Sequence, residues 1–273
     1  MVRGTCTVYS GVMLPLFCVK LSFSDIYAKK LSNSYFQFKQ FRMEQDRCSM
    51  KVCTDACIQG AYAANFLAKE ENNVKNILDI GTGTGLLTLM LAQKNPKSHF
   101  DAIELNESAY MQAKENFSSS PWTKNISIIH EDIRNIHSSE KYDFIICNPP
   151  FYEDEMKSNK PHKNQSKHSR DLSHQELKDC INKNLSEDGT SCIMFPEKQF
   201  SRFNQLMEKD DYDATHLLKV RQASGYPCFR IIGFFDKGMK SVTTGDLCIY
   251  ESKWEYSPEF KSLLKDYYLY LDA

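Results

Sequence analysis

The residues Asn148, Pro149, Pro150 and Phe151 carry the most specific chemical signal in the sequence. They stand at the end of the apolar run YDFIICN, which predicts the fourth strand of a sheet. Two prolines cannot continue a central strand, so the chain must leave the sheet there in a stiff, extended turn. The side-chain carbonyl of Asn148 and the backbone carbonyl of Pro149 are then free to accept hydrogen bonds, and Phe151 offers an aromatic face.

This turn suits methyl transfer to a planar amino nitrogen. Such a nitrogen is a poor nucleophile because its lone pair is delocalised into the adjoining π-system. Two acceptors on the amine protons localise electron density on the nitrogen and stabilise the positive charge that develops on it, without a strong base. A base stacked on Phe151 would be held in line for the transfer. We therefore interpret the residues from Asn148 to Phe151 as catalytic; a purely structural turn is the alternative.

A glycine-rich segment upstream predicts the site of a nucleotide cofactor. It reads DIGTGTG from Asp79 to Gly85 and lies between an apolar run and a segment of helical periodicity, so its glycines fall where the backbone must turn tightly and approach a ligand. Dinucleotide-binding folds use a related G-x-G-x-x-G pattern, so such a turn alone is weak evidence. The G-x-G-x-G spacing behind an acid is instead typical of methyltransferases. We therefore expect S-adenosylmethionine as the cofactor and assign to its site Asp79, Gly81, Gly83 and Gly85.

Two acids stand at the ends of the next two predicted strands. Glu104 lies nineteen positions after Gly85, where a carboxylate can accept hydrogen bonds from both ribose hydroxyls of a nucleoside cofactor. Asp132 closes the following strand and would lie beside the adenine ring, where it can accept from the amino group. Both acids are candidate cofactor ligands, and an acid that is merely solvated is the alternative for Asp132.

Strands that alternate with helical segments must position these residues. From Asn76 onward, apolar runs alternate with helical periodicity, which predicts parallel βαβ units with right-handed crossovers. Shorter connections join some of the apolar runs in the last third of the chain and favour antiparallel pairing. These runs are predicted strands at Thr215 to Val220, Cys228 to Phe235 and Asp246 to Glu251. We therefore predict an α/β fold with a doubly wound, mostly parallel, seven-stranded Rossmann-like sheet that ends in an antiparallel hairpin. The segment from Ser257 to Leu271 is predicted to be a helix with Ser257 as N-cap and Pro258 at its first position.

The formal net charge is −1, so a surface that binds a polyanion must come from local clustering of Lys and Arg. The basic segment, Met156 to Arg170, is such a cluster, with five Lys or Arg, two His and no acid. A solvated loop is the usual interpretation of such a run. Its place directly after the Asn148 turn favours a role that faces the substrate. We predict that the substrate is bound by its cationic residues, Lys157, Lys160, Lys163, Lys167 and Arg170.

Cysteine usage and the N-terminal region bound the class of protein. The ten cysteines include no C-x-x-C pair, and a chain of this size needs no disulfides, so we expect reduced thiols and a cytoplasmic protein. Cys48, Cys53 and Cys57 have no matching Cys or His pair downstream, and no metal is expected. Residues 1–34 precede the recognisable pattern and are expected to be a disordered extension or a start-site artefact. A single domain is expected over residues 35–273.

From about Tyr35 to Leu271, the sequence resembles the tRNA(Val) adenine-N6-methyltransferases, which modify the adenine beside the anticodon. The resemblance rests on the leader FQFKQF…DRCSMKVCTDA, the segment DIGTGTGLLTLMLAQ, the tripeptide from Ser120 to Trp122, the NPPF turn and the terminal YSPEF…YYLYL. The glycine-rich segment alone would match many methyltransferase families, whereas the set of motifs is specific. The leader departs from the family at Cys53 and Ala56, where glycine is usual.

The resemblance implies S-adenosylmethionine as cofactor and the N6 amine of an adenine in tRNA as methyl acceptor. In that interpretation, the three glycines hold the methionine end of the cofactor, Glu104 its ribose and Asp132 its adenine. The Asn148 turn holds the target base, and the basic segment contacts the RNA. Neither a membrane nor an obligatory protein partner is expected. Leader residues similar to those that fold over the cofactor pocket are Lys51, Thr54 and Asp55.

Two other functions remain open from the sequence. A protein-glutamine N-methyltransferase uses almost the same turn, because an amide nitrogen poses the same chemical problem. Those enzymes usually carry tyrosine after the prolines, together with a separate helical N-terminal domain that this sequence lacks. A catalytically silent RNA-binding module would keep the basic segment but lose the cofactor contacts, and the intact glycine-rich segment and Asn148 argue against it.

Overall fold

A computed structural model describes residues 34–48, 50–69, 74–136, 140–150, 172–238, 241–253 and 255–271. All of these belong to one compact unit. Three sets of sequence predictions lie outside the described residues: those for residues 1–33, for Phe151 and for the basic segment. The last set comprises Lys157, Lys160, Lys163, Lys167 and Arg170.

The described chain alternates strands and helices through its central part, as the periodicity predicts. The strands are β1 (Tyr35–Gln37), β2 (Arg42–Glu44), β3 (Asn76–Ile80), β4 (His99–Glu104), β5 (Ile126–His130), β6 (Tyr142–Cys147), β7 (Leu185–Phe195), β8 (Tyr212–Ala223), β9 (Cys228–Lys237), β10 (Thr243–Ser252) and β11 (Glu255–Tyr256). The α-helices are α1 (Thr54–Lys69), α2 (Leu86–Lys94), α3 (Glu107–Ser118), α4 (His174–Asn184), α5 (Glu197–Met207) and α6 (Pro258–Leu264).

The main sheet has the strand order β11-β10-β8-β9-β7-β6-β3-β4-β5, and β1 and β2 form a separate antiparallel pair. Strands β3 to β7 are parallel to one another, and β9 runs antiparallel to both β7 and β8. This arrangement confirms the mostly parallel α/β class. The sheet orders β6 beside β3, so the carboxyl ends of these two strands meet at one edge, where ligands bind in open α/β sheets.

The prediction of seven strands is wrong, because the sheet contains nine strands within the described residues. Strand β10 contains the predicted apolar run from Asp246 to Glu251, but it pairs in parallel with β8. The two-residue β11, which was not predicted, returns antiparallel to β10 and ends the sheet. An uncovered β8 would expose a row of unpaired backbone groups, and β10 satisfies them. The sheet therefore ends in an antiparallel pair as predicted, but one that lies beyond the seventh strand.

Helices cover both faces of the sheet. Helices α1, α2 and α6 pack with Phe144, Ile146 and Met194 on one face, while α4 and α5 pack with Ile145 and Ile193 on the other. The close approach of α1 to α2 depends on Gly60, where an added Cβ would lie 2.7 Å from the Sδ atom of Met90. Among the described helices, none is long and apolar enough to cross a membrane.

The predicted C-terminal helix is shorter than expected. It begins as predicted, because the Ser257 hydroxyl accepts a hydrogen bond from the Phe260 amide at 3.1 Å and Pro258 follows at the first position. It ends at Leu264 rather than at Leu271, since the buried Tyr267 turns back and donates its hydroxyl to the Met90 carbonyl at 3.0 Å. An aromatic face at helical spacing therefore marks burial here and not a longer helix.

Candidate active site

The glycine-rich segment forms the loop between β3 and α2. Gly81, Gly83 and Gly85 have φ angles of +70°, +59° and +90°, which other residues rarely adopt. A Cβ atom at Gly81 or Gly83 would meet no other atom within 4 Å, whereas one at Gly85 would lie 2.4 Å from the Phe117 ring. The first two glycines thus border open space that a ligand can approach closely, and the third is also required for packing against α3.

Asp79 lies directly beneath this loop and is 2% exposed. Its Oδ2 atom accepts hydrogen bonds from the hydroxyls of Thr82 at 2.6 Å and Thr88 at 2.7 Å. Its Oδ1 atom is buried and has no hydrogen-bond partner among the described residues. Burial raises the pKa of Asp79 to about 6. The site therefore contains a buried acceptor that a donor group on a bound ligand would satisfy.

Glu104, the last residue of β4, contacts the same loop. Its carboxylate accepts from the backbone amides of Gly83 at 2.9 Å and Asn106 at 2.8 Å. A carboxylate offers about four acceptor positions, so lone pairs remain for two hydroxyl groups of a ligand. The structure thus brings together Asp79, the three glycines and Glu104, as the sequence predicted for one cofactor site.

Asp132 follows β5 and is held by Arg134. The Asp132 carboxylate accepts from the Arg134 backbone amide at 2.9 Å, and the guanidinium Nη2 lies 2.6 Å from Oδ2. The same guanidinium contacts Glu176 of α4 at 2.9 Å. Hydrogen bonds from Arg134 lower the pKa of Asp132. This ion pair was not predicted, and it leaves fewer lone pairs for the proposed contact with adenine.

The Asn148 turn lies beside the glycine loop, because β6 pairs with β3 in the register Cys147 to Ile80. Asn148 is half-buried, and its Oδ1 atom is buried without a hydrogen-bond partner in the described part of the chain. Pro149 is buried and Pro150 is exposed. Two unpartnered acceptors, Asn148 Oδ1 and Asp79 Oδ1, therefore occur at the carboxyl ends of two adjacent strands.

The leader reaches the site along α3. Asn116 of α3 is 2% exposed and accepts from the Glu44 amide at 2.9 Å, while its own amide donates to the carbonyls of Glu44 at 3.0 Å and Thr84 at 2.8 Å. One buried side chain thus binds both the leader and the glycine loop. Sequence reasoning missed Asn116, although a polar residue on the same helix face as Ala113 and Phe117 was a signal.

The three predicted leader residues lie around the start of α1. Lys51 is half-buried, Thr54 is exposed at the first position of the helix, and Asp55 accepts from Arg230 Nε of β9 at 2.8 Å. Among the described non-glycine residues, Asp211 alone has a positive φ. The φ values of Cys53 and Ala56 are therefore negative. Asp55 therefore joins α1 to β9, and the loss of glycine in the leader requires no left-handed backbone.

Gln59, one turn further along α1, is a second residue that the sequence did not reveal. Its side chain is fully buried, and Nε2 donates to the backbone carbonyls of Cys147 at 2.9 Å and Cys192 at 3.4 Å. Its Oε1 atom has no partner within the described residues. A lone glutamine among the alanines and other apolar residues of this segment was the available signal. Gln59 connects α1 to the residue that precedes Asn148.

The cysteines of the described residues are free thiols. Burial raises the pKa of Cys53 and of Cys57 to about 12, so both thiols stay protonated at neutral pH. Protonated thiols are poor nucleophiles and poor metal ligands. The chemistry of this site therefore comes from its oxygen acceptors.

Comparisons with known proteins agree with this geometry. The model of the Methyltransferase small domain family matches residues 62–210, more than half of the chain. A tRNA1(Val) (adenine(37)-N6)-methyltransferase from Dyadobacter fermentans is 37% identical over 241 residues, which cover 87% of this chain and 98% of the relative. One of the same name from Christiangramia forsetii is 34% identical and covers 88% of this chain and 100% of its own. A solved predicted O-methyltransferase from Agrobacterium tumefaciens has a TM-score of 0.60 at 12% identity, with 79% of this chain and 97% of that chain covered, and supports the fold alone.

Proposed function

The chain belongs to the tRNA1(Val) (adenine(37)-N6)-methyltransferase family, and from this premise we propose that it methylates the N6 amine of the adenine beside the anticodon of tRNA(Val). S-adenosylmethionine is the proposed methyl donor. The proposed catalytic unit is a single domain over residues 35–273 that acts in the cytoplasm, where reduced cysteines and a tRNA substrate belong.

One observation carries the proposal: the buried Oδ1 atom of Asn148, at the edge of the sheet beside the glycine loop, has no hydrogen-bond partner among the residues that the structure describes. Leaving a buried carbonyl oxygen unpaired costs about 1–3 kcal/mol. That cost is removed when an N–H donor enters the site. An exocyclic amine supplies such a donor, and the planar base that carries it fits a turn built from two prolines and an aromatic residue.

Each residue of the turn has a separate proposed role toward the amine and the base that carries it. Asn148 Oδ1 accepts one amine proton and the Pro149 carbonyl accepts the other, so the nitrogen lone pair is held toward the methyl donor. The same two acceptors stabilise the positive charge that develops on the nitrogen. No side chain has to act as a strong base, because the product amine loses its proton readily. Phe151 stacks on the base in this proposal.

The residues around the glycine loop fit S-adenosylmethionine, which supplies the activated methyl group when bound. Gly81 and Gly83 border open space, and Asp79 offers the methionine end an acceptor, Oδ1, that no group in the described part of the chain occupies. Glu104 keeps lone pairs for the ribose hydroxyls. Asp132 accepts from the adenine amino group with the lone pairs that Arg134 leaves. In this proposal, Lys51 and Thr54 of the leader cover the cofactor, and Asp55 acts by fixing the start of α1 to Arg230.

The substrate is proposed to be tRNA rather than a protein glutamine. The relatives that carry the tRNA methyltransferase name match nearly their whole length, and this chain matches them over its leader as well as over its catalytic turn. The basic segment supplies the positive charge that a polyanion needs in a chain whose formal net charge is −1.

The test is methylation of an unmodified tRNA1(Val) transcript by the purified protein with isotopically labelled S-adenosylmethionine. Mass spectrometry of the nucleosides should find labelled N6-methyladenosine. A transcript with guanosine in place of adenine 37 is the matched control and should carry no label. A parallel reaction contains a glutamine peptide, and label in the peptide but not in the RNA would reject the proposal.

A further inference from the structure

The hairpin formed by β8 and β9 projects beyond the edge of the sheet that carries the active site. The last pair between β7 and β9 joins Phe195 to Ile231, yet β9 begins three residues earlier, at Cys228. At about 3.4 Å per residue, these three residues extend the hairpin by about 10 Å past the end of β7. Asn148 follows Cys147, which pairs with Ile193, two residues before the end of β7. Along the strand direction, the hairpin tip therefore extends further beyond the edge of the sheet than the start of the catalytic turn.

The hairpin is also close to the catalytic turn in the direction across the strands of the sheet. In the sheet order β9-β7-β6, two strand spacings of about 4.8 Å separate β9 from the strand that ends in Asn148, which is about 10 Å. A nucleotide chain whose adenine enters the Asn148 turn must leave that turn in some direction. The hairpin forms one wall beside that path.

The tip of the hairpin is a stiff turn that exposes an aromatic ring. The Tyr226 amide donates to the Ala223 carbonyl at 3.1 Å, and Gly225 has a φ of +80° while Ser224 has a negative one, which defines a type II turn. Pro227 follows and restricts Tyr226 to extended conformations. Tyr226 is 58% exposed.

Both strands of the hairpin are fixed in place. Arg221 of β8 donates through Nη1 to the Tyr226 carbonyl at 3.1 Å and through Nε to Asp246 of β10 at 3.1 Å. Arg230 of β9 donates to Asp55 of α1 at 2.8 Å. The backbone that carries Tyr226 is thus held relative to the same helix that contacts the catalytic strand, and little backbone entropy is lost when a ligand binds to its ring.

We propose that Tyr226 is a stacking platform for a nucleobase next to the target adenine. This inference rests on the proposed function, since it requires an RNA substrate at the Asn148 turn. An adenine that enters the turn must leave its neighbours in the RNA stack, and its neighbours then lose stacking partners. An exposed aromatic ring on a fixed backbone replaces one of those partners, and such stacking tolerates any base because every base has a π-face.

The charges of the hairpin favour a base over a phosphate as the occupant. Arg221 and Arg230 are each paired with a carboxylate, Asp246 and Asp55 respectively. Their charges are therefore already compensated, and phosphate neutralisation is left to the basic segment. Stacking and charge thus predict different salt dependence, which separates the two contributions experimentally.

The experiment compares Tyr226→Ala and Tyr226→Phe with a matched control, Tyr270→Ala, which removes another exposed tyrosine, 82% exposed, that follows α6. The RNA is the anticodon stem-loop of tRNA1(Val) with 2-aminopurine on one side of adenine 37 or the other. Tyr226→Ala should raise the Kd about 5- to 160-fold, the factor for one lost base–aromatic stack. Tyr226→Phe keeps the ring and should stay within about twofold of the wild type, as should Tyr270→Ala.

Three readouts decide the inference. The 2-aminopurine fluorescence at one position should change when the wild type binds and should not change with Tyr226→Ala. The slope of log Kd against log salt should be the same in both, and the affinity for S-adenosylmethionine should be unaltered. Equal RNA affinity and equal fluorescence for Tyr226→Ala and the wild type, in a protein that methylates tRNA, overturn the stacking role and leave the hairpin to a protein partner. A wild type that methylates no tRNA overturns the proposed function, and this inference with it.

Discussion

The side-chain amide of Gln59 donates a hydrogen bond to the backbone carbonyl of Cys147 at 2.9 Å, so helix α1 is bonded directly to the residue before Asn148. A hydrogen bond therefore connects the helix that follows the leader to the strand that ends in the catalytic turn. The same glutamine leaves its own Oε1 atom buried and unpartnered among the described residues. The side chain of Gln59 therefore stabilises the fold through its donated hydrogen bonds and destabilises it through its unpartnered oxygen.

Replacing Gln59 with leucine should change the free energy of unfolding by less than about 1 kcal/mol. The substitution removes two hydrogen bonds to carbonyls, but it also removes a buried oxygen whose lack of a partner costs about as much. Gln59→Ala should instead cost about 2–4 kcal/mol, because a cavity remains beside the sheet. Urea unfolding of both variants tests this pair of predictions. A leucine variant as unstable as the alanine variant would show that the hydrogen bonds dominate.

Asn148→Ala should lower kcat by about 100-fold, with little change in the affinity for S-adenosylmethionine, because it removes one acceptor that stabilises developing charge. Asn148→Asp keeps an oxygen acceptor at the same position and should retain more of the activity. Single-turnover kinetics with saturating tRNA measure the effect, and calorimetry measures cofactor binding. Near-wild-type turnover by the alanine variant would make the turn a purely structural element.

The parallel sheet and the two motifs at its edge were predictable because each follows from local pattern. Alternating strand and helix periods specify βαβ units, and βαβ units bring the ends of β3 and β6 to one edge, so Asp79, the glycines and Asn148 fell where expected. Two of the site contacts were not predictable in this way. The Asp55–Arg230 pair joins residues 175 positions apart, and Asp132 is engaged by Arg134.

Hydrophobic period reports which side of an element is buried, but not which polar groups meet across the fold. The edge strand β11 and the early end of α6 were missed for a related reason. Strand β11 has only two residues and is defined by its pairing with β10, and burial of Tyr267 against Met90 competes with continued helix. In each case a tertiary contact decided an outcome that the local sequence left open.

Asp79 should make the stability of the free protein depend on pH. Burial raises its pKa from an ordinary value near 3.8 to about 6, so between about pH 4 and pH 6 the folded state binds a proton that the unfolded state has lost. Folding stability supplied by this group is therefore present below about pH 4 and is lost as pH rises toward 6, by up to about 3 kcal/mol.

Urea unfolding of wild type and Asp79→Asn between pH 4 and pH 7 isolates this contribution. The difference between the two free energies of unfolding should shift in favour of the asparagine variant as the pH rises, since asparagine carries no charge to bury. A difference that stays constant over this range would mean that Asp79 titrates as an ordinary carboxyl group in the folded protein.

The basic segment should account for most of the salt dependence of tRNA binding. Each phosphate that a lysine neutralises releases counterions, which adds about 0.7 to 0.9 to the slope of log affinity against log salt. Removing four lysines should weaken tRNA binding and flatten that slope by up to about 3, while the affinity for S-adenosylmethionine stays unchanged. The variant replaces with alanine the residues Lys157, Lys160, Lys163 and Lys167.

A control variant removes the same charge from the opposite edge of the sheet. Its four exposed lysines lie just before β4, β5, β6 and β8, and therefore at the amino ends of parallel strands, away from the Asn148 turn: Lys97, Lys124, Lys141 and Lys209. Filter binding at several salt concentrations gives both slopes. If the two variants flatten the slope equally, net charge alone governs the interaction. A flatter slope for the basic segment alone places the RNA backbone next to the catalytic turn, because the segment begins five residues after Phe151.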